Sequence, residues 1–254
     1  MSRTPFLAAN WKMNKTVVEA RAFAEAFLPR VDGLAGVEIA IAPPATALHA
    51  LGEALAGTAV ALAAQNVHPE PSGAFTGELS TGMLAEVGCR YAIVGHSERR
   101  TLFGEGDADV AAKARALLAA GLRPIVCLGE SLEEREADRT LAVCEAQLEG
   151  SLAGIEAGRA GDLVLAYEPI WAIGTGRTAT PEIAQEVHGF IRGWLEGRFG
   201  RAGQAVRIQY GGSMKPENAA ELLAQPDIDG GLVGGASLDP ESFASLCRSA
   251  AGPA

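Results

Sequence analysis

The chain is short of positive charge: 21 Lys and Arg stand against 31 Asp and Glu, a net charge of −10 over 254 residues. That balance excludes a broad nucleic-acid footprint, because such proteins concentrate positive charge on one face. Any anionic ligand must therefore be met locally. Lysine is scarcer still, with 4 of the 21 basic residues, the other 17 being Arg. Cysteine is sparse too. Cys89, Cys127, Cys144 and Cys247 are separated by 38, 17 and 103 positions, so the close pairs of zinc sites and redox motifs are missing, and a disulfide framework is not expected in a core this large. The apolar stretch Ala54 to Ala64 is too short to cross a bilayer. The opening MSRTPFLAANWKMN lacks the apolar centre of a signal peptide, so the expected location is the cytoplasm. No Pro/Ser-rich linker, exact short repeat or low-complexity tract divides the sequence, and residues 1–254 read as one domain.

What is present is a repeated pattern. Short runs rich in Val, Ile and Ala alternate with longer amphipathic stretches, as in βα units around a parallel sheet. Eight runs read as strands: Phe6 to Trp11, Val37 to Ala42, Val60 to Ala64, Tyr91 to Val94, Arg123 to Cys127, Leu163 to Tyr167, Arg207 to Tyr210 and Gly230 to Val233. None alternates polar with apolar, so both faces should be covered. Helix starts are marked by Thr16 with Glu19 and Ser131 with Glu134, which fit the capping box. Thr180-Pro181 and Asp239-Pro240 fit an N-cap followed by a first-turn proline. Val17, Phe23, Ala24, Phe27 and Leu28 would give the first helix one buried stripe.

Eight such units could close into a barrel or open into a doubly wound sheet. The second wants Gly-x-Gly-x-x-Gly after the first strand, and the chain has Asn10-Trp11-Lys12-Met13-Asn14 there. The expected fold is therefore an α/β single-domain (β/α)8 TIM barrel, with active groups on the loops that follow the strands. Those loops carry Asn10 and Lys12; Pro43-Pro44; Gln65-Asn66; His96-Ser97-Glu98; Gly129-Glu130; Glu168; Gly211-Gly212-Ser213; and Gly234-Gly235.

A Gly-Gly pair taken alone makes a tight turn. Two pairs after the last two strands occupy the recurrent phosphate position of barrel enzymes, where backbone N–H groups can approach an anion. Glu168 precedes Pro169-Ile170-Trp171-Ala172-Ile173-Gly174-Thr175-Gly176, a rigid Pro, large apolar groups and two glycines, suited to a closing lid. Water exclusion would make that carboxylate more basic, although a glutamate in such a place is ordinarily just exposed. His96 at a strand end can hydrogen-bond to a carbonyl oxygen while neutral, but a lone His is ordinarily structural. The compact ammonium of Lys12 would offset developing oxyanion charge. Glu98 either contacts Lys12 or caps a helix. His49, His68 and His188 lack partners at metal-ligand spacing, Cys127 reads as core, and Arg99 with Glu105 reads as a surface pair that holds a loop.

At these residues the chain resembles the triosephosphate isomerase family. The matching blocks are Ala9 to Asn14, Ala64 to Val67, Gly73 to Glu78, Val94 to Arg100, Ala166 to Gly176, Tyr210 to Ser213 and Val233 to Ala236, in family order along essentially the whole chain. The resemblance implies interconversion of dihydroxyacetone phosphate and D-glyceraldehyde 3-phosphate through an enediol(ate), in glycolysis and gluconeogenesis, with no cofactor and no metal. It implies that Glu168 is the base, His96 the neutral electrophile, Lys12 the charge stabiliser and Asn10 a positioning group. Gly174, Ser213, Gly234 and Gly235 would bind phosphate, with Ser97 and Glu98 in support, and Ile173 and Leu232 would press on Glu168. The Gly73 to Ser80 loop resembles the family's interdigitating arm, Thr76 entering a second subunit near Asn10 and His96, so a homodimer is implied. Arg177 stands where the family often has Lys, and Ile170 where it often has Val. Two readings compete: a Schiff-base aldolase using Lys12, whose polar and anionic surroundings are unsuited to that chemistry, and an inactive phosphosugar-binding protein, which would have lost Glu168 or the lid.

Overall fold

Alternate residues of a strand face opposite sides, and strands covered on both sides carry apolar groups throughout. In the computed structural model, which describes residues 3–173 and 179–252, all eight apolar runs form strands. These are β1 Phe6–Asn10, β2 Glu38–Ala42, β3 Val60–Ala64, β4 Cys89–Val94, β5 Arg123–Leu128, β6 Val164–Tyr167, β7 Arg207–Tyr210 and β8 Gly230–Val233. Each pairs in parallel with the next, and β1 closes on β8, Phe6 facing Gly230 and Ala9 facing Val233. The result is a closed α/β barrel of the TIM type. Strand ends differ from the sequence reading by a residue or two: Trp11, Val37 and Leu163 fall outside, while β4 starts earlier at Cys89 and β5 runs on to Leu128.

Parity along the strands separates two cores. Phe6, Ala8, Ala40, Ala42, Ala61, Ala63, Tyr91, Ile93, Ile125, Cys127, Val164, Ala166 and Leu232 fill the barrel, whereas Leu7, Ile39, Ile41, Leu62, Val126 and Leu165 face the helices. The interior is mostly Ala towards the strand ends. Its amino-terminal end is filled by Phe6 and Tyr91, ring centres 4.7 Å apart. Each large side chain buried in this way stabilises the fold by about 1.5–3 kcal/mol.

The helix starts follow the capping chemistry. Thr16 and Glu19 make reciprocal bonds at the head of the helix Val17–Val31, and Ser131 and Glu134 do so for Leu132–Glu136. Thr180 accepts from Ile183 N–H ahead of Pro181–Phe199, and Asp239 from Ser242 N–H ahead of Pro240–Ala251. The stripe of the first helix is corrected. Its buried residues are Ala20, Phe23, Ala24, Phe27 and Val31, while Val17 is exposed and Leu28 only partly buried. The face follows the i, i+3, i+4, i+7 rule from Ala20; Val17, three residues earlier, falls at its edge but in the first turn, where it stays exposed.

Candidate active site

The inward parity of β1 runs Phe6, Ala8, Asn10, and that of β6 runs Val164, Ala166, Glu168. Asn10 and Glu168 thus emerge from the barrel interior at its carboxyl end, both buried. On β4 the series Tyr91, Ile93 would put residue 95 inward, but Gly95 turns with φ +70° and brings His96 in instead. A Cβ there would lie 2.8 Å from Val110 Cγ2, so this turn needs glycine. Lys12 also has a positive φ, +51°, a strained conformation for a lysine. It is held: Lys12 N–H donates to Asn10 Oδ1 at 3.1 Å, and Gln65 Nε2 donates to Lys12 C=O at 2.8 Å and Ala42 C=O at 2.9 Å.

These residues meet. Glu168 Oε1 lies 3.0 Å from His96 Nε2, and Ser97 N–H donates to Glu168 Oε2 at 2.8 Å. Glu98 N–H donates to His96 Nδ1 at 3.2 Å. That bond assigns the proton of a neutral imidazole to Nε2, which donates to Glu168. Lys12 Nζ donates to Glu98 Oε1 at 2.7 Å, which resolves the open reading of Glu98: its carboxylate meets Lys12, and its backbone is what His96 caps. Burial pushes the Glu168 carboxyl up, but His96, the Ser97 N–H and Lys12 outweigh it and leave it below its ordinary value. Burial pulls the His96 imidazole down, and the Glu168 carboxylate more than offsets this. Cys127, in the barrel beneath, is pushed well up by burial and further by Glu168, so it stays a thiol.

Above this pair opens a cavity of about 680 Å³ lined by Asn10, Lys12, His96, Glu168, Ile173, Leu232 and the glycine loops with Ser213, Gly234 and Gly235. Asn10, Lys12, His96 and Glu168 supply polar groups to this lining, and Ile173 and Leu232 supply apolar wall. Gly174, Thr175, Gly176 and Arg177, part of the expected lid and phosphate site, lie outside the described residues. Among the described residues no cluster of three or more His, Cys, Asp or Glu is arranged to hold a metal ion, and no helix is long and apolar enough to cross a membrane.

Several supporting residues have no role in the sequence reading. Glu130 is fully buried and accepts from Tyr167 OH at 3.0 Å and Trp171 Nε1 at 2.8 Å, anchoring the chain just beyond Glu168. Asn218 Oδ1 accepts from Lys215 N–H at 2.8 Å while its Nδ2 donates to Ser213 C=O at 3.0 Å, clamping the β7 loop. Gly129 is required by proximity, since a Cβ on it would fall 1.8 Å from Glu168 C=O. Position after a strand singles out Gln65 and Glu130; it does not show what they hold.

A second groove, about 420 Å³, begins at Asn10, Lys12 and Glu98 and runs past Gln65, Asn66, Met13 and Phe103. Met13 is 94% exposed and Phe103 69%, large apolar groups with nothing over them in one chain. The loop from Gly73 to Gly77, with Thr76, is exposed, and Phe75 packs on His68. Beneath the groove the Arg99–Glu105 reading is corrected: Glu105 is buried, bonded to Lys113 from the helix Asp107–Ala119, with Arg99 Nε at 3.5 Å. Lys113 also donates to Asn66 at 2.9 Å. The pair is thus part of an interior network, and a surface ion pair's small contribution is the wrong measure for it.

A carboxylate and an imidazole in contact, an ammonium beside them and a glycine-rich rim in one cavity define a barrel enzyme of the proton-transfer class. Sequence comparison gives the particular family. The sequence profile described as Triosephosphate isomerase matches residues 5–250. The chain is 58% identical over 250 residues to the triosephosphate isomerase of Symbiobacterium thermophilum, covering 98% of each protein. It is 54% identical to that of Carboxydothermus hydrogenoformans, covering 97% of this chain and 98% of that one. It superposes on the crystal structure of triosephosphate isomerase from Bartonella henselae with a TM-score of 0.88 at 42% identity, covering 97% of this chain and 98% of that one. The chain belongs to the triosephosphate isomerase family, enzymes that catalyse an intramolecular isomerisation.

Proposed function

We propose that this cavity interconverts dihydroxyacetone phosphate and D-glyceraldehyde 3-phosphate, the step shared by glycolysis and gluconeogenesis. The observation that supports the reading most is the Glu168–His96 contact of 3.0 Å in a cavity that also holds Lys12 and the glycine rim. In the forward direction Glu168 takes a proton from C1 of the ketone and His96 gives its Nε2 proton to the C2 oxygen, forming the enediol. Glu168 then returns its proton to C2 while O1 gives its own to His96 Nε2, so the aldehyde forms and both side chains regain their starting protonation, with no net gain or loss of protons. Lys12 offsets charge on the oxygens, and Asn10 orients the same end of the substrate. Ser213, Gly234 and Gly235, with Gly174, hold the phosphate by backbone N–H groups, which suits a chain of charge −10.

As it stands, Glu168 is bonded to two donors, Ser97 N–H and His96, both of which weaken it as a base. Proton abstraction asks the carboxylate to leave them for the substrate carbon. Beside Ile173 and Leu232 it would then be a desolvated and stronger base. The same water exclusion disfavours loss of phosphate from the enediolate.

The second groove supports self-association. We place the Gly73 to Ser80 loop of a second copy in it, Thr76 approaching Asn10 and His96, as a homodimer. The proposed location is the cytoplasm, with triose phosphates as partners and neither nucleic acid nor membrane. A coupled assay on D-glyceraldehyde 3-phosphate tests the reaction directly, and absence of turnover would overturn it. Borohydride trapping separates the aldolase alternative: Lys12 Nζ is engaged by Glu98, so no covalent adduct is expected at that residue.

A further inference from the structure

Lys215 lines the same cavity as Ser213, Gly234 and Gly235, yet it differs from the other lysine there. Lys12 is held by Glu98 at 2.7 Å. Among the described residues the exposed ammonium of Lys215 has no carboxylate in ion-pair reach. Its base is fixed, because Asn218 bonds both Lys215 N–H and Ser213 C=O. One side chain thus ties the residue offering a phosphate-binding N–H to the residue bearing a free charge.

That charge matters because of its background. A chain of net charge −10 repels a phosphate dianion before any hydrogen bond forms. The cavity wall carries two carboxylates, Glu168 and Glu217, against Lys12 and Lys215. With Lys12 committed to Glu98, Lys215 is, among the described residues lining the cavity, the cation left without a carboxylate partner. The other two lysines are occupied elsewhere: Lys113 with buried Glu105, and Lys15 over the rings of Trp11 and Phe23.

We propose that Lys215 is a specificity residue that captures the phosphate dianion at the cavity mouth, acting on substrate association and not on proton transfer. The inference rests on the triose phosphate reading above. Coulomb's law for a single charge and a dianion about 7 Å apart in water corresponds to an effect of about fivefold to tenfold, and screening by salt should erode it.

The test compares kcat/KM of the parent, Lys215→Gln and Lys215→Arg on D-glyceraldehyde 3-phosphate and on phosphate-free D-glyceraldehyde, at low and high ionic strength. Lys215→Gln should lose about fivefold on the phosphorylated substrate at low ionic strength, mostly through KM. The loss should shrink with salt, be smaller on D-glyceraldehyde, and be largely restored in Lys215→Arg. An active parent with an equally active Lys215→Gln, or equal losses on the two substrates, overturns this inference alone. A parent that turns over neither substrate overturns the functional reading and this inference with it.

Discussion

Glu168 Oε1 and His96 Nε2 are 3.0 Å apart, and each holds the other in a defined state. The imidazole donates to the carboxylate, while Glu98 N–H occupies Nδ1. The carboxylate's second oxygen is fixed by Ser97 N–H. Base, acid and the start of the helix Ser97–Phe103 therefore form one hydrogen-bonded unit, and disturbing any member is felt by the others.

The first consequence concerns turnover. Replacing Glu168 with Gln keeps the shape and removes the proton acceptor, so kcat should fall by about 10²–10⁴-fold. Binding of a triose phosphate or inorganic phosphate, measured by calorimetry, should persist. Near-parent turnover would remove Glu168 from the role of base.

The second concerns His96. Burial lowers its pKa and the Glu168 carboxylate raises it, with a net upward shift. Taking the charge away in Glu168→Gln leaves the burial, so the imidazole should titrate at lower pH in the variant than in the parent. Nitrogen NMR of the ring follows this and also reports the tautomer, expected to be protonated at Nε2 at mildly alkaline pH. A titration that does not move would show the two groups to be uncoupled.

Much of this site was legible in the sequence because barrel parity is simple. Asn10 continues the inward series from Phe6 and Ala8, and Glu168 continues it from Val164 and Ala166, so locating strands also locates these side chains. The lost parts are those set by contacts between distant segments. Nothing local tells that Gln65 holds the strained Lys12, that Asn218 clamps Ser213, or that Glu130 receives Tyr167 and Trp171. Glu105 looked superficial because the partner that buries it, Lys113, sits on a later helix. On the first helix Val17 has the spacing of the stripe, i−3 from Ala20 and i−7 from Ala24, so spacing alone does not show that the first turn leaves it exposed.

The third prediction uses Gly129. A Cβ there would meet the Glu168 carbonyl oxygen at 1.8 Å, a backbone atom that cannot rotate away. Gly129→Ala should destabilise by about 3 kcal/mol as an overpacked site, which at this chain length is a drop in Tm of roughly 10 °C. It should also displace Glu168 and cost activity below the melting range. Calorimetry and the coupled assay together check it; a variant with parent Tm and parent kcat would show that the two segments can separate freely.

Assembly gives a fourth. Met13 and Phe103 line the groove in which a second copy's arm is placed. Sedimentation at micromolar protein should show a dimer. Thr76→Arg, which adds bulk and charge at the arm's tip, should shift it towards monomer and lower activity together. A fully active monomeric parent would dissociate the arm from the site.

The fifth concerns stability against acid and depends on His188. The residue is fully buried, between the rings of Tyr167 and Tyr210. Its Nδ1 lies 3.0 Å from Asp227 C=O, to which it donates when neutral, and its Nε2 has no hydrogen-bond partner among the described residues. Burial pushes its pKa down from 6.5 to about 4. Between those values the unfolded chain binds a proton that the folded one refuses, so the contribution of His188 is full above pH 6.5 and is lost as pH falls towards 4. Linkage puts the loss at about 2 kcal/mol by pH 5 and about 3 kcal/mol by pH 4. In His188→Gln the side-chain amide can still donate to Asp227 C=O but does not titrate. Urea unfolding at fixed protein concentration should therefore show the parent's advantage over this variant shrinking by about 2 kcal/mol between pH 7.5 and pH 5. The Glu38 and Glu168 carboxyls, held below their ordinary value, weaken both proteins alike at still lower pH, so they cancel in the comparison. A parent-minus-variant difference that stays flat across this range would mean that His188 is protonated in the folded state, and would contradict its burial as a neutral ring.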